Sequence, residues 1–557
     1  MKKILLLSLI ILTVVLAFVG CGCQNTEDDG QYKTGDLMFL LTEDKNGYEF
    51  IGVYNKDDTL TDMEVIIPDT YNGLPVVGIR GFDTKDAPYI TKITIPEGIK
   101  YIADGGLSHL TQVESITLPS TIEEIGEGAF YGCASLVSID IPTKVTEIKD
   151  NTFTNCFSLE SVAIHDKVTA IGNKAFSNSG LTFISVPSSV TSLGEHAFFN
   201  CVSLKTAKLR NSLSEVPVSL FAGCASLESI ELASPFVKIN DGAFRGCSKL
   251  TGINTSSVTY IGDKAFMGCD SLVSKYDGIY VLGKWIVACD SDEVAQDLSI
   301  ADSIVGIASG VFSKSNLTRV VIPDSVLYIG SSAFDGSELL EKVEIGKGVI
   351  SLGEKCFYNC TSLKEIIMSA ENTVLTVKNG ALYSKDEKTL IQYFAGASAK
   401  DYTVANGTTE VGKFAFSNSS LESVAIPSGV KLVNYNAFEN CASLKEIILP
   451  NGLEEIKGSA FLGCTSLLEL TIPEGITNIA PSMLAGATSL SAVNLPSTAV
   501  EIGEYAFDGC ISLTQIHITK NISRVAENAF EDCEITFTVD SENTSFKVEN
   551  GKLVPKQ

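Results

Sequence analysis

Histidine is almost missing from this chain of 557 residues: His109, His165, His196 and His517 are the whole set, and they are scattered. No Ser-His-Asp, His-Glu-x-x-His or Cys-His arrangement can be assembled from them, so the common hydrolase and zinc-peptidase signatures are out. Basic residues are also scarce, 41 Lys and Arg against 67 Asp and Glu, for a net charge of −26. Nucleic acid and anionic lipid are bound by basic patches, so neither is expected as a partner. Tryptophan occurs once, at Trp285. No glycine-rich phosphate loop appears; the glycines sit at regular spacing, as turn residues do. No cofactor is expected.

What the chain does have is repetition. Phe130, Phe153, Phe176, Phe198, Phe221, Phe244 and Phe266 step by 22 or 23 residues, and Phe312, Phe334 and Phe357 resume the beat. Phe416, Phe438 and Phe461, then Phe507 and Phe530, carry it to the end, with weaker coils at Phe82, Leu107 and Leu484. A fixed period of this size marks a solenoid whose coils pack only on their neighbours. At about 4.8 Å per coil, roughly eighteen coils make a rod on the order of 85 Å long.

The unit is clearest over residues 129–148. Leu-x-x-Ile-x-Ile alternates at period two, the mark of a short strand with one buried face. A proline such as Pro142, Pro187 or Pro450 then stops it, because proline cannot donate to a continuing ladder. Val-x-x-Ile-Gly predicts a second short extended segment, and Ala-Phe-x-x-Cys a tight helical or 3₁₀ turn. This pattern resembles the leucine-rich repeats of BspA-like surface proteins over roughly residues 82–533. The resemblance implies a mainly β, curved, right-handed solenoid with the Leu-x-x-Ile-x-Ile strands on its concave side. It also implies surface display and adhesion to host or microbial proteins.

The first twenty residues read as a signal peptide: Lys2 and Lys3, an apolar run over residues 4–19, then Gly20-Cys21. The run is shorter than the ~20 residues a membrane-spanning helix needs. The junction resembles a bacterial lipobox, which would place a lipid on Cys21, with Cys23 as second candidate; an ordinary signal peptide or an uncleaved anchor is the alternative. Residues 21–34 make a polar tether. These features predict a lipid-anchored, extracytoplasmic protein that meets the membrane only through its anchor.

Residues 35–80 lack the repeat and predict a β-hairpin cap turning at residues 44–47, with a third strand near residues 64–68. A cap covers the apolar core that a solenoid end would expose. Two gaps break the rhythm, of 46 residues after Phe266 and 59 after Phe357. Each predicts a hairpin insert, about residues 272–294 turning at Gly283-Lys284, and about 370–397 turning at residues 386–388. Residues 372–383 match residues 543–554 at six of twelve positions, so residues 534–557 read as a truncated hairpin serving as C-terminal cap. The inserts are either structural joints or binding elements.

Eleven of the fifteen cysteines stand three residues after the repeat phenylalanine, and serine takes that slot at Ser179, Ser315, Ser337 and Ser419. Free cysteine packs as a small apolar residue, so a reduced, buried column is expected. Bridging between neighbouring coils is geometrically open, and a metal is not expected from a collinear column. The outward position between the two buried strand residues reads Asp140, Ala163, Ser185, Lys208, Glu231 and onward, with no acids on adjacent coils where a glycosidase pair would need them. The irregular column suits a binding surface, with Lys208 and Glu231 as candidate contacts. Trp285, Tyr276 and Tyr280 in the first insert form a candidate sugar platform; simple hairpin packing is the other reading. The functional expectation is non-covalent binding of a protein or polysaccharide without catalysis. An accessory glycan-binding component, a glycan-active enzyme or a purely structural surface element are the alternatives.

Overall fold

The computed structural model describes residues 36–54, 63–82, 85, 87–210, 213–232 and 236–556. Most coils lay down one short strand in each of two rows. In the first row Phe183–Val186, Thr206–Leu209 and Ser229–Leu232 pair in parallel and in register, Ile184 on Ala207 on Ile230. In the second, Glu147–Ile148, Ala170–Ile171 and Ser192–Leu193 do the same. Alternation carries Ile184, Val186, Ala207 and Leu209 inward, where they are buried. Because successive coils have equal length, identical slots fall over one another.

The Ala-Phe-x-x-Cys segment is not a helical turn. Every copy from Phe130 to Phe507 holds two residues in the left-handed region four apart, such as Lys174 and Asn178, or His196 and Asn200. Their main chain cannot propagate a helix, and the N–H groups instead donate across to the next coil, as Phe153 N does to Ala175 O at 2.7 Å. The second left-handed slot is filled by glycine or asparagine in most coils, the residues that tolerate it best. Where asparagines are consecutive they link: Asn200 Nδ2 donates to Asn178 Oδ1, and Asn178 Nδ2 to Asn155 Oδ1, both at 2.8 Å. Beneath this turn the phenylalanine rings from Phe130 to Phe266 stack at centroid distances of 5.2 to 5.7 Å and interplanar angles of 6 to 17°.

Three antiparallel hairpins each open a new second-row sheet. Asp36–Leu41 pairs with Tyr48–Tyr54, which then runs parallel to Leu74–Ile79. Ser274–Tyr276, Ile279–Leu282 and Trp285–Cys289 pair antiparallel, and the last receives Gly306–Ile307 in parallel. Leu375–Lys378, Ala381–Ser384 and Thr389–Tyr393 repeat the device before Glu410–Val411. At the second insert the core divides. The strand Ala381–Ser384 turns Leu382 into the core that reaches back toward the amino end, and Ala381 and Tyr383 into the one that continues to Phe546. There Tyr393 replaces phenylalanine and stacks on Phe416 at 5.5 Å.

The carboxyl end carries a fourth hairpin, Phe546–Glu549 with Lys552–Pro555. The sequence match between residues 372–383 and 543–554 has a physical centre. Asn372 and Asn543 are both buried; each accepts two main-chain N–H bonds at Oδ1 and donates from Nδ2 to a carbonyl of the preceding coil.

Candidate ligand-binding surfaces

Two surfaces hold the residues expected to bind. On the first strand row Lys208 and Glu231 are register neighbours and form an ion pair at 2.8 Å, with both side chains reaching solvent. Further along, Arg319 bridges Asp297 at 2.8 Å and Glu344 at 2.7 Å, and Lys342 reaches Glu365. Opposite charges facing each other on adjacent strands hold the row without leaving a large field of one sign. Beside and beyond these ladders isolated apolar side chains stand out of the same row: Phe183, Ile367 and Ile448.

The first insert is arranged differently from the expectation. Trp285 is not an open platform: only 3 % of it is exposed. Its register partner is Gly306, and a Cβ there would lie 2.5 Å from the indole, so the missing side chain is what lets the ring fold down across the neighbouring strand. One strand further on, Tyr328 continues the surface, stacked on Trp285 at 5.8 Å with 7° between planes. Tyr276 lies on the outer hairpin strand, 65 % exposed, while Tyr280 sits over the Lys275 ammonium. Lys275 is held by Glu293 at 2.8 Å. Tyr276 and Tyr280 therefore do not join the Trp285 ring in one plane, and Lys208 and Glu231 belong to the other strand row. Tyr101, Tyr260 and Tyr328 share one slot in the repeat of the sequence, but the pairing of Tyr328 with Trp285 depends on where the insert rejoins the coil.

Beside this aromatic pair lies a cleft of about 640 Å³, between residues 253–259, the hairpin turn at Gly283-Lys284 and the Trp285–Tyr328 wall. The coil before it carries no first-row strand, which leaves residues 253–259 free to form the cleft's other side.

The cysteine column is structural. The thirteen cysteines among the described residues are all free. Each column thiol donates to the carbonyl of the residue in the phenylalanine slot one coil back, as Cys224 Sγ does to Phe198 O at 3.1 Å; for Cys133 and Cys510 that residue is Leu107 and Leu484. Ser337 Oγ makes the same bond to Phe312 O at 2.7 Å, which explains why serine can replace cysteine. Burial pushes the Cys133 thiol up to about 12 and the half-buried Cys289 thiol up to about 11. Among the described residues no group of His, Cys, Asp or Glu has the placement to hold a metal ion.

Two parallel strand rows, a phenylalanine ladder and hairpin-capped ends define a leucine-rich-repeat solenoid. The chain belongs to the BspA-type leucine-rich-repeat family, whose pattern matches residues 84–205, 169–276, 290–391, 391–500 and 477–549. Similar solved structures include a leucine-rich repeat protein from Bacteroides ovatus, 24% identical, covering 92% of this chain and 100% of that one with a TM-score of 0.34. A leucine-rich cell surface protein from Faecalibacterium prausnitzii is 21% identical, with 93% and 97% covered and a TM-score of 0.36. The pneumococcal vaccine antigen PcpA is 19% identical, with 92% and 95% covered and a TM-score of 0.34. No curated protein matches. Among the described residues no helix is long and apolar enough to cross a membrane. Cys21, the signal peptide and the tether lie outside the described residues.

Proposed function

We propose that this protein is a non-catalytic binding rod, held outside the cell by a lipid on Cys21, that engages a protein of a host or microbial surface through its first strand row. The observation that carries this reading is the row itself. Over the four strands from Asp297–Ser299 to Glu365–Met368, two outward columns are kept in register by main-chain pairing, with paired charges set around exposed Ile367. A rigid face loses little freedom on docking, so scattered apolar anchors inside a polar surround suffice for specific binding. Paired charges orient a partner more than they tighten it. Localisation at the surface is in keeping with the family and with the leader read from residues 1–20.

The test is binding of the purified protein to immobilised matrix and microbial surface proteins, measured by surface plasmon resonance. Exchanging the pair, Lys208→Glu with Glu231→Lys, keeps the ion pair and changes stability by no more than ~1 kcal/mol. Combined with Ile367→Asp and Ile448→Asp it should weaken binding at least tenfold while the circular dichroism melt stays in place. Unchanged binding, or turnover of a peptide or polysaccharide abolished by one carboxylate substitution, would refute the reading.

A further inference from the structure

The first insert makes a second, separate site. Along the second strand row the slot before the buried isoleucine is commonly charged: Glu124, Glu147, Glu215 and Lys238 early in the chain, Glu410, Glu455 and Glu501 late. Around the insert that changes. Trp285, Gly306, Tyr328 and Ser351 follow one another in register, with Tyr260 at the end of the sheet before them. In a chain of net charge −26 this is a carboxylate-free stretch with a flat aromatic wall.

The cleft of about 640 Å³ against that wall falls within the usual ~300–1,000 Å³ of small-ligand sites. Its far side is hydroxyl and amide. Asn254 holds its own turn through Oδ1, which accepts from Ser256 N, and its Nδ2 makes no hydrogen bond among the described residues. The side chains of Thr255, Ser256, Ser257 and Lys284 make no hydrogen bond or ion pair within the protein among the described residues. A ring face on one side, several unengaged donors and acceptors on the other, and a single cation at the rim match one ligand chemistry. It is that of a pyranose, whose C–H face packs on an aromatic ring and whose hydroxyls bond neutral polar groups.

We infer that this cleft binds an oligosaccharide, with a sugar ring against Tyr328 and the exposed margin of Trp285 and its hydroxyls on Asn254, Thr255 and Ser256. Its aromatic wall lies on the second strand row, while Asn254 stands at the first-row slot one coil beyond Glu231, so Tyr328 is the residue that separates this site from the protein-binding face. Gly306 is its specificity device: any side chain there would lift the indole off the strand and close the cleft.

Trp285 is the sole tryptophan, so its fluorescence reads the cleft directly. The full-length protein is titrated with trisaccharides of α-glucan, β-glucan, N-acetylglucosamine and galacturonate, by fluorescence and by calorimetry. At least one should shift the emission and release heat with the same midpoint. Tyr328→Ala should weaken that sugar at least tenfold; Asn254→Ala with Thr255→Ala should do likewise; Phe183→Ala, on the other row, should leave it unchanged. Galacturonate binding that falls with added salt marks Lys284 as a carboxylate partner, whereas a neutral sugar is insensitive to salt; either outcome supports the site. Silence across all four sugars, or binding that survives Tyr328→Ala, overturns it. Neither failure touches the result for the first strand row.

Discussion

A buried thiol that donates to a carbonyl one coil away is a small thing repeated many times, and its chemistry is set by burial. Only the thiolate is nucleophilic. At pH 8 a thiol of ordinary acidity, near 9, is about one-tenth ionised, whereas one near 11, as at Cys289, is about one-thousandth ionised. Native protein treated with iodoacetamide at pH 8 should therefore be labelled first at half-buried Cys289 and Cys533, Cys289 about a hundredfold more slowly than in urea. Cys133, Cys156 and Cys224 should stay unlabelled until unfolding, as peptide mapping would report. The sign of the pH effect follows. The folded values of Cys133, Cys156, Cys224 and Cys247 lie above the unfolded ones, so what these thiols contribute to stability is whole below about pH 9 and declines as pH rises toward 12. Rapid uniform labelling at pH 8, or inter-coil disulfides in the native protein, would contradict this picture.

At the scale of the element, three hairpins each start a sheet row, and the fourth, a two-stranded sheet of its own, closes the carboxyl end. What fixes the third hairpin to the coil beneath it is Asn372, whose amide satisfies Val374 N, Leu375 N and Val349 O in a site closed to water. Asn372→Ala leaves those groups buried and unpaired, at a cost of ~1–3 kcal/mol for each one that water cannot reach. A total loss of about 2–4 kcal/mol is expected by urea titration, and Asn543→Ala, at the frayed end, should cost less globally while releasing the C-terminal hairpin to proteolysis. Asn372→Asp keeps the acceptor but loses the donor, and should fall between. An alanine variant as stable as the parent would show that the match between residues 372–383 and 543–554 has no physical basis.

For the whole molecule, the division of the core at Ala381–Ser384 matters most. Solenoid stability is a sum of nearest-neighbour terms, and the second joint is where the neighbour relation is weakest. The turns on either side meet mainly through polar and edge contacts: Lys413 with Glu354 at 2.7 Å, Asn418 with Asn359 at 2.6 Å, Tyr358 OH donating to Glu439 at 3.1 Å, and Tyr358 and the Lys355 ammonium against Phe414. Denaturation should show two transitions. Trp285 fluorescence, which lies in the amino-terminal core, should follow only one of them, while circular dichroism follows both. Phe461→Ala removes a fully buried ring of the other core and should cost ~3–5 kcal/mol, lowering only the transition that tryptophan does not report. A single transition seen alike by both probes would mean that the joint transmits as strongly as any other coil.

The period of Phe130, Phe153 and Phe176 determined the coil, because equal spacing places equal residues over one another whatever surrounds them. Alternation in Ile139 and Ile141 determined the first strand, and proline its end. The same reasoning located both inserts and their turns at Gly283-Lys284 and residues 386–388. The Ala-Phe turn escaped it, since the two left-handed residues that forbid a helix are glycine in some coils but lysine, serine or histidine in others, where local preference gives no warning. Trp285 escaped it too. Its burial is settled by Gly306, twenty-one residues away, and by the return of the chain that sets the two side by side. A sequence determines what repeats, because repetition needs only neighbours of its own kind; where the repeat is broken, the packing across the break decides which side chains face water and which face the core.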